Sequence, residues 1–153
     1  MNNIVLCGFM GCGKSTVGKN IARKSGRKFL DMDSYIEEKA GMTVSEIFEK
    51  YGEEKFRDME HDACVELAGL EGLVIASGGG AFTFKRNVEP QGKDKIVFLD
   101  VPLGIIKSRL KNDTTRPLLQ RPDRDRVMKD LYDSRYPIYH AAADIVVKAK
   151  IRR

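Results

Sequence analysis

Five short apolar runs punctuate the chain: Ile4–Cys7, Lys28–Leu30, Leu73–Ala76, Lys95–Asp100 and Ile145–Val147. Each is too short for a helix of its own and is bounded by polar or glycine-containing sequence, as buried strands are. Between them the apolar period changes to that of a helix. Val17, Ile21 and Ala22 place a helix opening near Lys14, and Ser34–Ala40 places another, stopped by Gly41. Thr43-Val44-Ser45-Glu46 is a capping box, and Val44, Ile47 and Phe48 form the apolar side of the helix it opens. Gly52 breaks that helix, and Glu53–Ala68 follows with Phe56, Met59, Ala63 and Leu67 on one face. A partly helical piece reaches about Gln91, and Pro102 starts a helix to about Lys111. The stretch from Asn112 to Pro122 is polar and interrupted by Pro117 and Pro122, hence a loop. A last helix spans about Asp123–Tyr139. Apolar strands alternating with helices predict an α/β fold, a three-layer α/β/α sandwich around a parallel sheet, with residues 1–153 as one domain.

The first strand runs into Gly8-Phe9-Met10-Gly11-Cys12-Gly13-Lys14-Ser15-Thr16, which fits the phosphate-loop pattern G-x-x-x-x-G-K-[ST] in the strand–loop–helix context that pattern requires. Its glycines let the backbone turn tightly and aim N–H groups inward, and the helix N-terminus favours phosphate oxygens. Gly11, Cys12, Gly13, Lys14, Ser15 and Thr16 are therefore the expected ATP-binding residues. Lys14 is suited to the β- and γ-phosphates, and the Ser15 hydroxyl to a magnesium ion. Cys12 is either a small residue that fits the loop or, beside Lys14 and a helix N-terminus, the most reactive of the three thiols.

Composition narrows the class. The 153 residues, 42% hydrophobic and 32% charged, describe a soluble globular domain. The apolar run after Met1-Asn2-Asn3 is too short for a signal peptide or a membrane span. Cys7, Cys12 and Cys64 lack a zinc or redox spacing, so reduced thiols in a cytoplasm are expected. The net charge of +5 is concentrated between Lys107 and Lys129, where eight basic residues face three acidic ones and no aromatic occurs. That excludes a base-stacking nucleic-acid surface and fits a trap for a small polyanion such as ATP. No paired apolar stripe calls for an obligate dimer, so a monomer is expected. A regulatory GTPase would carry an Asn-Lys-x-Asp guanine reader, and the chain has none.

Beyond the phosphate loop, Asp31-x-Asp33, Phe56-Arg57-x-x-Glu60, Gly78-Gly79-Gly80, Arg116-Pro117-Leu118-Leu119 and Arg135-x-x-x-Tyr139 occur in the order and spacing of shikimate kinases. The chain resembles that family from residue 4 to about 147. The resemblance implies a sheet of order 2-3-1-4-5 and transfer of the γ-phosphate of ATP to the 3-hydroxyl of shikimate, with Mg2+. It also implies substrate-binding helices over about 33–60 and a lid over about 112–124. Within it Gly78, Gly79 and Gly80 touch shikimate, Arg109 packs against adenine, Arg116 swings over the phosphates, and Ser77 takes the place of an acidic strand-end residue near magnesium. Members of the family usually continue into another helix past the last strand, whereas this sequence stops at Lys150-Ile151-Arg152-Arg153.

The residue types suit that chemistry. Asp33, at the carboxyl end of a strand, can accept from substrate hydroxyls and assist deprotonation of the attacking one. Asp31, on the same side of an extended segment, can face magnesium through water. Without the phosphate loop the two would read as a strand end and a helix N-cap; beside it the functional reading is preferred. Arg57 has Glu53, Glu54, Glu60 and His61 at helical spacing, so it is either a surface ion pair or a fork held by Glu60 and aimed at a carboxylate. Arg135, in a helix expected to end at Pro137, is the second arm of that clamp. Asp100 ends the most apolar strand and imitates a magnesium ligand, but the resemblance does not support it. Two other readings stay open: another small-molecule kinase, such as one for gluconate or a nucleoside monophosphate, and a nucleotide-binding regulator without catalysis.

Overall fold

A computed structural model describes residues 1–111 and 121–148. The strands are β1 (Ile4–Cys7), β2 (Lys28–Asp31), β3 (Leu73–Ala76), β4 (Lys95–Asp100) and β5 (Ile145–Lys148). The helices are α1 (Lys14–Ser25), α2 (Met32–Ala40), α3 (Val44–Tyr51), α4 (Glu53–Ala68), α5 (Lys85–Val88), α6 (Leu103–Leu110) and α7 (Arg124–Ala142). All five strands are parallel, in the order β2-β3-β1-β4-β5. The expected α/β architecture and strand order are both found.

The local signals act as their chemistry requires. The Thr43 hydroxyl accepts from the Glu46 N–H while the Glu46 carboxylate accepts from the Thr43 N–H, which closes the capping box of α3. The three central strands are sheathed in apolar side chains, with Val5, Leu6, Val74, Ile75, Ile96 and Phe98 all buried. Helix α1 lies directly on this sheet. A methyl on Gly18 would come within 2.5 Å of the Phe29 ring and 3.2 Å of Leu6. At the opposite end from the glycine loops, buried Asn3 donates to the carbonyls of Leu67 and Leu70 and accepts from the Leu73 N–H.

Two boundaries differ from the sequence reading. Pro102 is the residue before α6 rather than within it. Helix α7 does not end at Pro137 or at Tyr139 but runs on to Ala142. Proline costs α7 one backbone hydrogen bond. Packing outweighs that loss, since Tyr136, Tyr139 and His140, on both sides of Pro137, stack around Phe98 of β4 at centroid distances of 5.2–5.6 Å. The carboxyl ends of β1, β2 and β3 thus open side by side onto one cleft.

Candidate functional site

That cleft, of about 270 Å³, is lined by the phosphate loop, Asp31, Asp33 and the segment Ala76–Gly79. Its floor is Gly8–Thr16. Gly8, Gly11 and Gly13 have φ of 148°, 76° and 95°, values that side chains rarely adopt. A methyl on Gly8 would also sit 2.9 Å from the Cys12 sulfur and 3.0 Å from the Leu99 carbonyl oxygen. Lys14 Nζ donates to the carbonyls of Gly8 (2.7 Å) and Phe9 (3.2 Å), so the cation is held at the loop's rim. Cys12 is 4% exposed, its sulfur turned against Gly8. Burial of this kind fits a small residue that completes the loop and counts against unusual reactivity. The other two thiols are buried as well, and burial pushes Cys7 and Cys64 up to about 12.

Helix α6 closes the loop from outside. Arg109 Nη1 donates to the Gly11 carbonyl at 3.1 Å and would stand 3.4 Å from a methyl on Gly13. Arg109 therefore lies against the phosphate loop at Gly11 and Gly13. Arg116 and most of the expected lid fall outside the described residues.

The second strand end departs from the expected geometry. Residues 31–33 are not one extended segment: β2 stops at Asp31 and α2 starts at Met32. Asp31 Oδ1 accepts from the Ser34 N–H, so Asp31 is the cap of α2. Its other oxygen, Oδ2, lies 3.5 Å from the Ser15 hydroxyl. Capping and a place beside Ser15 are therefore compatible. Among the described residues no group of three or more His, Cys, Asp or Glu side chains could hold a metal. Magnesium does not need one, because it keeps waters and takes most of its remaining ligands from phosphates. The hydroxyl of Ser15 and the carboxylate of Asp31, two hard oxygen donors beside a phosphate loop, fit that ion.

Asp33 stands in the first turn of α2, where the helix field favours a carboxylate. Burial nonetheless raises its pKa above the ordinary range, helped by Asp31 and opposed by Lys14. Around the Gly78–Gly80 loop, α4 carries Arg57 and Glu60 one turn apart. Glu60 is 1% exposed and accepts from Arg57 Nη1 at 3.0 Å. Its pKa is also raised, by burial first, with Arg57 pulling the other way. Three atoms of this group are buried and have no hydrogen-bond partner among the described residues: Asp33 Oδ1, Glu60 Oε2 and Arg57 Nε. An unpaired buried polar atom is costly unless a ligand supplies the partner.

Gly78-Gly79-Gly80 ties these side chains together. A methyl on Gly78 would lie 2.8 Å from Asp33 Oδ1 and 3.3 Å from Glu60 Oε2, and one on Gly80 2.7 and 2.8 Å from the Arg57 Nη atoms. On Gly79 it would lie 3.4 Å from Arg135 Nη1 and 3.7 Å from the Met10 amide nitrogen. The triple glycine is therefore the hub where α2, α4, α7 and the phosphate loop meet, and any larger residue would push them apart. Arg135 is held beside Tyr139, whose hydroxyl donates to the Gly79 carbonyl. Ser77 donates to the Leu6 carbonyl at 2.8 Å, which fixes the strand end from which the loop departs.

Asp33, Arg57, Arg135, the three glycines and the phosphate loop are thus gathered at one place. Asp100 lies elsewhere, accepting from the Tyr136 hydroxyl at 2.5 Å in the aromatic packing of α7 on β4. Phe84 was not singled out from the sequence. Its ring lies 5.3 Å from the Arg57 guanidinium carbon, and no local pattern announces a contact made across a turn.

The family model for shikimate kinase matches residues 10–153. The chain belongs to the shikimate kinase family. It is 46% identical over 144 residues to the shikimate kinase of Geobacter sulfurreducens, which covers 94% of this chain and 79% of that one. With the Acinetobacter baumannii shikimate kinase solved in complex with shikimate it shares a TM-score of 0.93 at 39% identity, over 99% of this chain and 86% of the other. With the shikimate kinase of Aquifex aeolicus the TM-score is 0.83 at 36% identity, over 98% and 88%. Members of this kinase family use ATP, and among the described residues no helix is long and apolar enough to cross a membrane.

Proposed function

We propose that this protein transfers the γ-phosphoryl group of ATP to the 3-hydroxyl of shikimate, giving shikimate 3-phosphate and ADP. The observation that carries the reading is the set of three buried atoms without a partner among the described residues, on Asp33, Glu60 and Arg57, around the Gly78–Gly80 loop that leaves the cleft lined by the phosphate loop. A ring bearing hydroxyls at one end and a carboxylate at the other answers that set.

In the reaction, a P–O bond forms between the acceptor oxygen and the γ-phosphorus as the bridge to the β-phosphate breaks, and the hydroxyl proton passes to Asp33. Asp33 orients the attacking hydroxyl and accepts its proton. Lys14, held at the rim by the Gly8 and Phe9 carbonyls, moves onto the phosphates and neutralises charge on the equatorial oxygens. Backbone N–H groups of Gly11–Thr16 hold the β-phosphate, and Arg109 flanks the nucleotide. Arg57, fixed by Glu60, and Arg135 grip the carboxylate as two planar forks, which selects an acid over a neutral sugar. Ser15 and, through water, Asp31 are the residues that would hold magnesium, which would supply positive charge against the phosphates. Arg116, on sequence grounds, adds charge at the transferring group. We also assign the protein to the cytoplasm as a monomer, acting on small molecules and not on nucleic acid or membranes.

The test is ADP release with shikimate, gluconate or AMP as the only acceptor. Shikimate alone is expected to support turnover, with the phosphate on its 3-hydroxyl; turnover on gluconate or AMP instead overturns the reading.

A further inference from the structure

Arg57 is gripped along its edge by carboxylates and on its faces by rings. Nη1 meets Glu60 at 3.0 Å, and Nη2 reaches Glu53 at 3.5 Å. Phe56 and Phe84 hold their ring centroids 5.4 and 5.3 Å from the guanidinium carbon, within cation–π range. The two rings are unlike. Phe56 is a core residue, 4% exposed and stacked on Phe48 at 4.9 Å. Phe84 is 36% exposed and stands apart from the hydrophobic core cluster, with its ring against Arg57.

Its backbone, by contrast, is firmly held. The Phe84 N–H donates to the Ala81 carbonyl, and the Phe84 carbonyl accepts from the Asn87 N–H at 3.0 Å. Asn87 is fully buried, and its amide donates to the Ala81 carbonyl at 2.7 Å. Because that amide group points to a carbonyl, Asn87 Oδ1 must face His61 Nδ1, 2.9 Å away, and accept its proton. Thr83 braces the same turn, donating its hydroxyl to the Gly80 carbonyl at 2.6 Å. One turn, Ala81–Phe84, thus continues the triple glycine, is pinned from behind by Asn87, and presents an exposed ring to the arginine in front.

We propose that Phe84 is a positioning and specificity residue for the acceptor: its ring holds Arg57 in the carboxylate-reading orientation and keeps water off its outer side. This inference rests on the carboxylate clamp proposed above. A ring on the outer side of a guanidinium strengthens its grip on an anion in two ways. It restricts the side chain before the anion arrives, and it lowers the local dielectric at the new ion pair. Neither effect touches the phosphate loop or Asp33, so the signature is confined to one substrate and one functional group of it.

The experiment compares the unmodified protein with Phe84→Leu, Phe84→Ala and Phe84→Tyr, using steady-state kinetics with shikimate and with its methyl ester. Phe84→Leu keeps apolar bulk without a π face, and the exposed position spares the core. For the leucine and alanine variants the shikimate KM is expected to rise roughly 3- to 30-fold, the span of a cation–π contact from exposed to desolvated. Their kcat and ATP KM should stay within about twofold, and the ester KM should not move. Phe84→Tyr should restore the shikimate KM. An unchanged shikimate KM in both variants overturns the inference while leaving the kinase reading intact. Equal losses on acid and ester, or a loss in kcat that tyrosine does not rescue, show a merely structural residue and also overturn it. If the unmodified protein does not phosphorylate shikimate, both readings fall together.

Discussion

The phosphate end and the acceptor end of the cleft are built on opposite principles. The phosphate end is nine consecutive residues, and its work is done by backbone N–H groups, a helix terminus and one lysine. Its frame is a single strand–loop–helix unit, to which β2 adds Asp31 beside Ser15 and α6 adds Arg109 against Gly11. The acceptor end draws Asp33 from α2, Arg57 and Glu60 from α4, Gly78–Gly80 from the loop after β3 and Arg135 from α7. Only the closed fold brings them together. On the proposed reading the phosphate loop answers the phosphates and takes no part in choosing the acceptor. The proposed acceptor end carries buried carboxylates with raised pKa values and three atoms without a partner among the described residues, a costly arrangement that the proposed substrate would relieve. Specificity resides where the fold has spent stability.

The sharpest break between the two ends is Asp33→Asn. It keeps size and removes basicity, so kcat should fall by roughly 10²–10⁴-fold. ATP binding, measured by calorimetry, should survive. The same variant should also be more stable than the parent at neutral pH. Burial raises the folded-state pKa of Asp33, so its contribution to stability is full below the unfolded-chain value and is lost as pH rises through the folded one. The melting-temperature advantage of Asp33→Asn should therefore be present at pH 7–8 and shrink in acid. In the unmodified protein the acid limb of kcat against pH should lie above the ordinary carboxylate range, because Asp33 must be ionised to take the proton.

Next in size, Gly78→Ala forces a methyl to within 2.8 Å of Asp33 Oδ1 and 3.3 Å of Glu60 Oε2. Both carboxylates must shift, and the shikimate kcat/KM should drop by roughly 10²-fold, the cost of about 1 Å of misplacement. The ATP dissociation constant should stay within about threefold. Ser15→Ala sharpens the phosphate side. It should raise the magnesium concentration needed for half-maximal turnover while leaving the shikimate KM unchanged. The smallest effect on turnover belongs to Asp100→Asn. It weakens the hydrogen bond from Tyr136 and should lower thermal stability by about 1–3 kcal/mol, with kcat and the magnesium requirement unaltered. A magnesium-dependent loss in that variant would restore Asp100 as a metal ligand.

The same contrast explains what could be read from the residues in advance. The phosphate loop, the capping box at Thr43–Glu46 and the strand order needed only local pattern or family spacing. Arg57 was ambiguous because its own helix offers it carboxylates at every turn. Only the cleft shows that one of them, Glu60, is buried and aims the fork inward. Asp31 and Asp33 do not share one extended face, because the strand ends at Asp31 and the helix starts at Met32, a switch that the spacing of two acids does not show. Pro137 does not end α7, since one missing hydrogen bond is small beside the stacking of Tyr136, Tyr139 and His140 on Phe98. Phe84 left no trace in the pattern. Arg116, carried by its motif, lies outside the described residues.

In the proposed mechanism the acceptor end reads a carboxylate with two arginines while the phosphate end is indifferent to it. The most direct measurement is kcat/KM for shikimate and for methyl shikimate in the unmodified protein and in Arg135→Ala, at saturating magnesium–ATP. The unmodified protein should favour the acid by roughly 5- to 150-fold, the value of about 1–3 kcal/mol for a charged hydrogen-bonded pair, and Arg135→Ala should erase most of that preference with its ATP KM unchanged. If the ester is phosphorylated as efficiently as the acid, or the preference survives Arg135→Ala intact, the carboxylate clamp is contradicted.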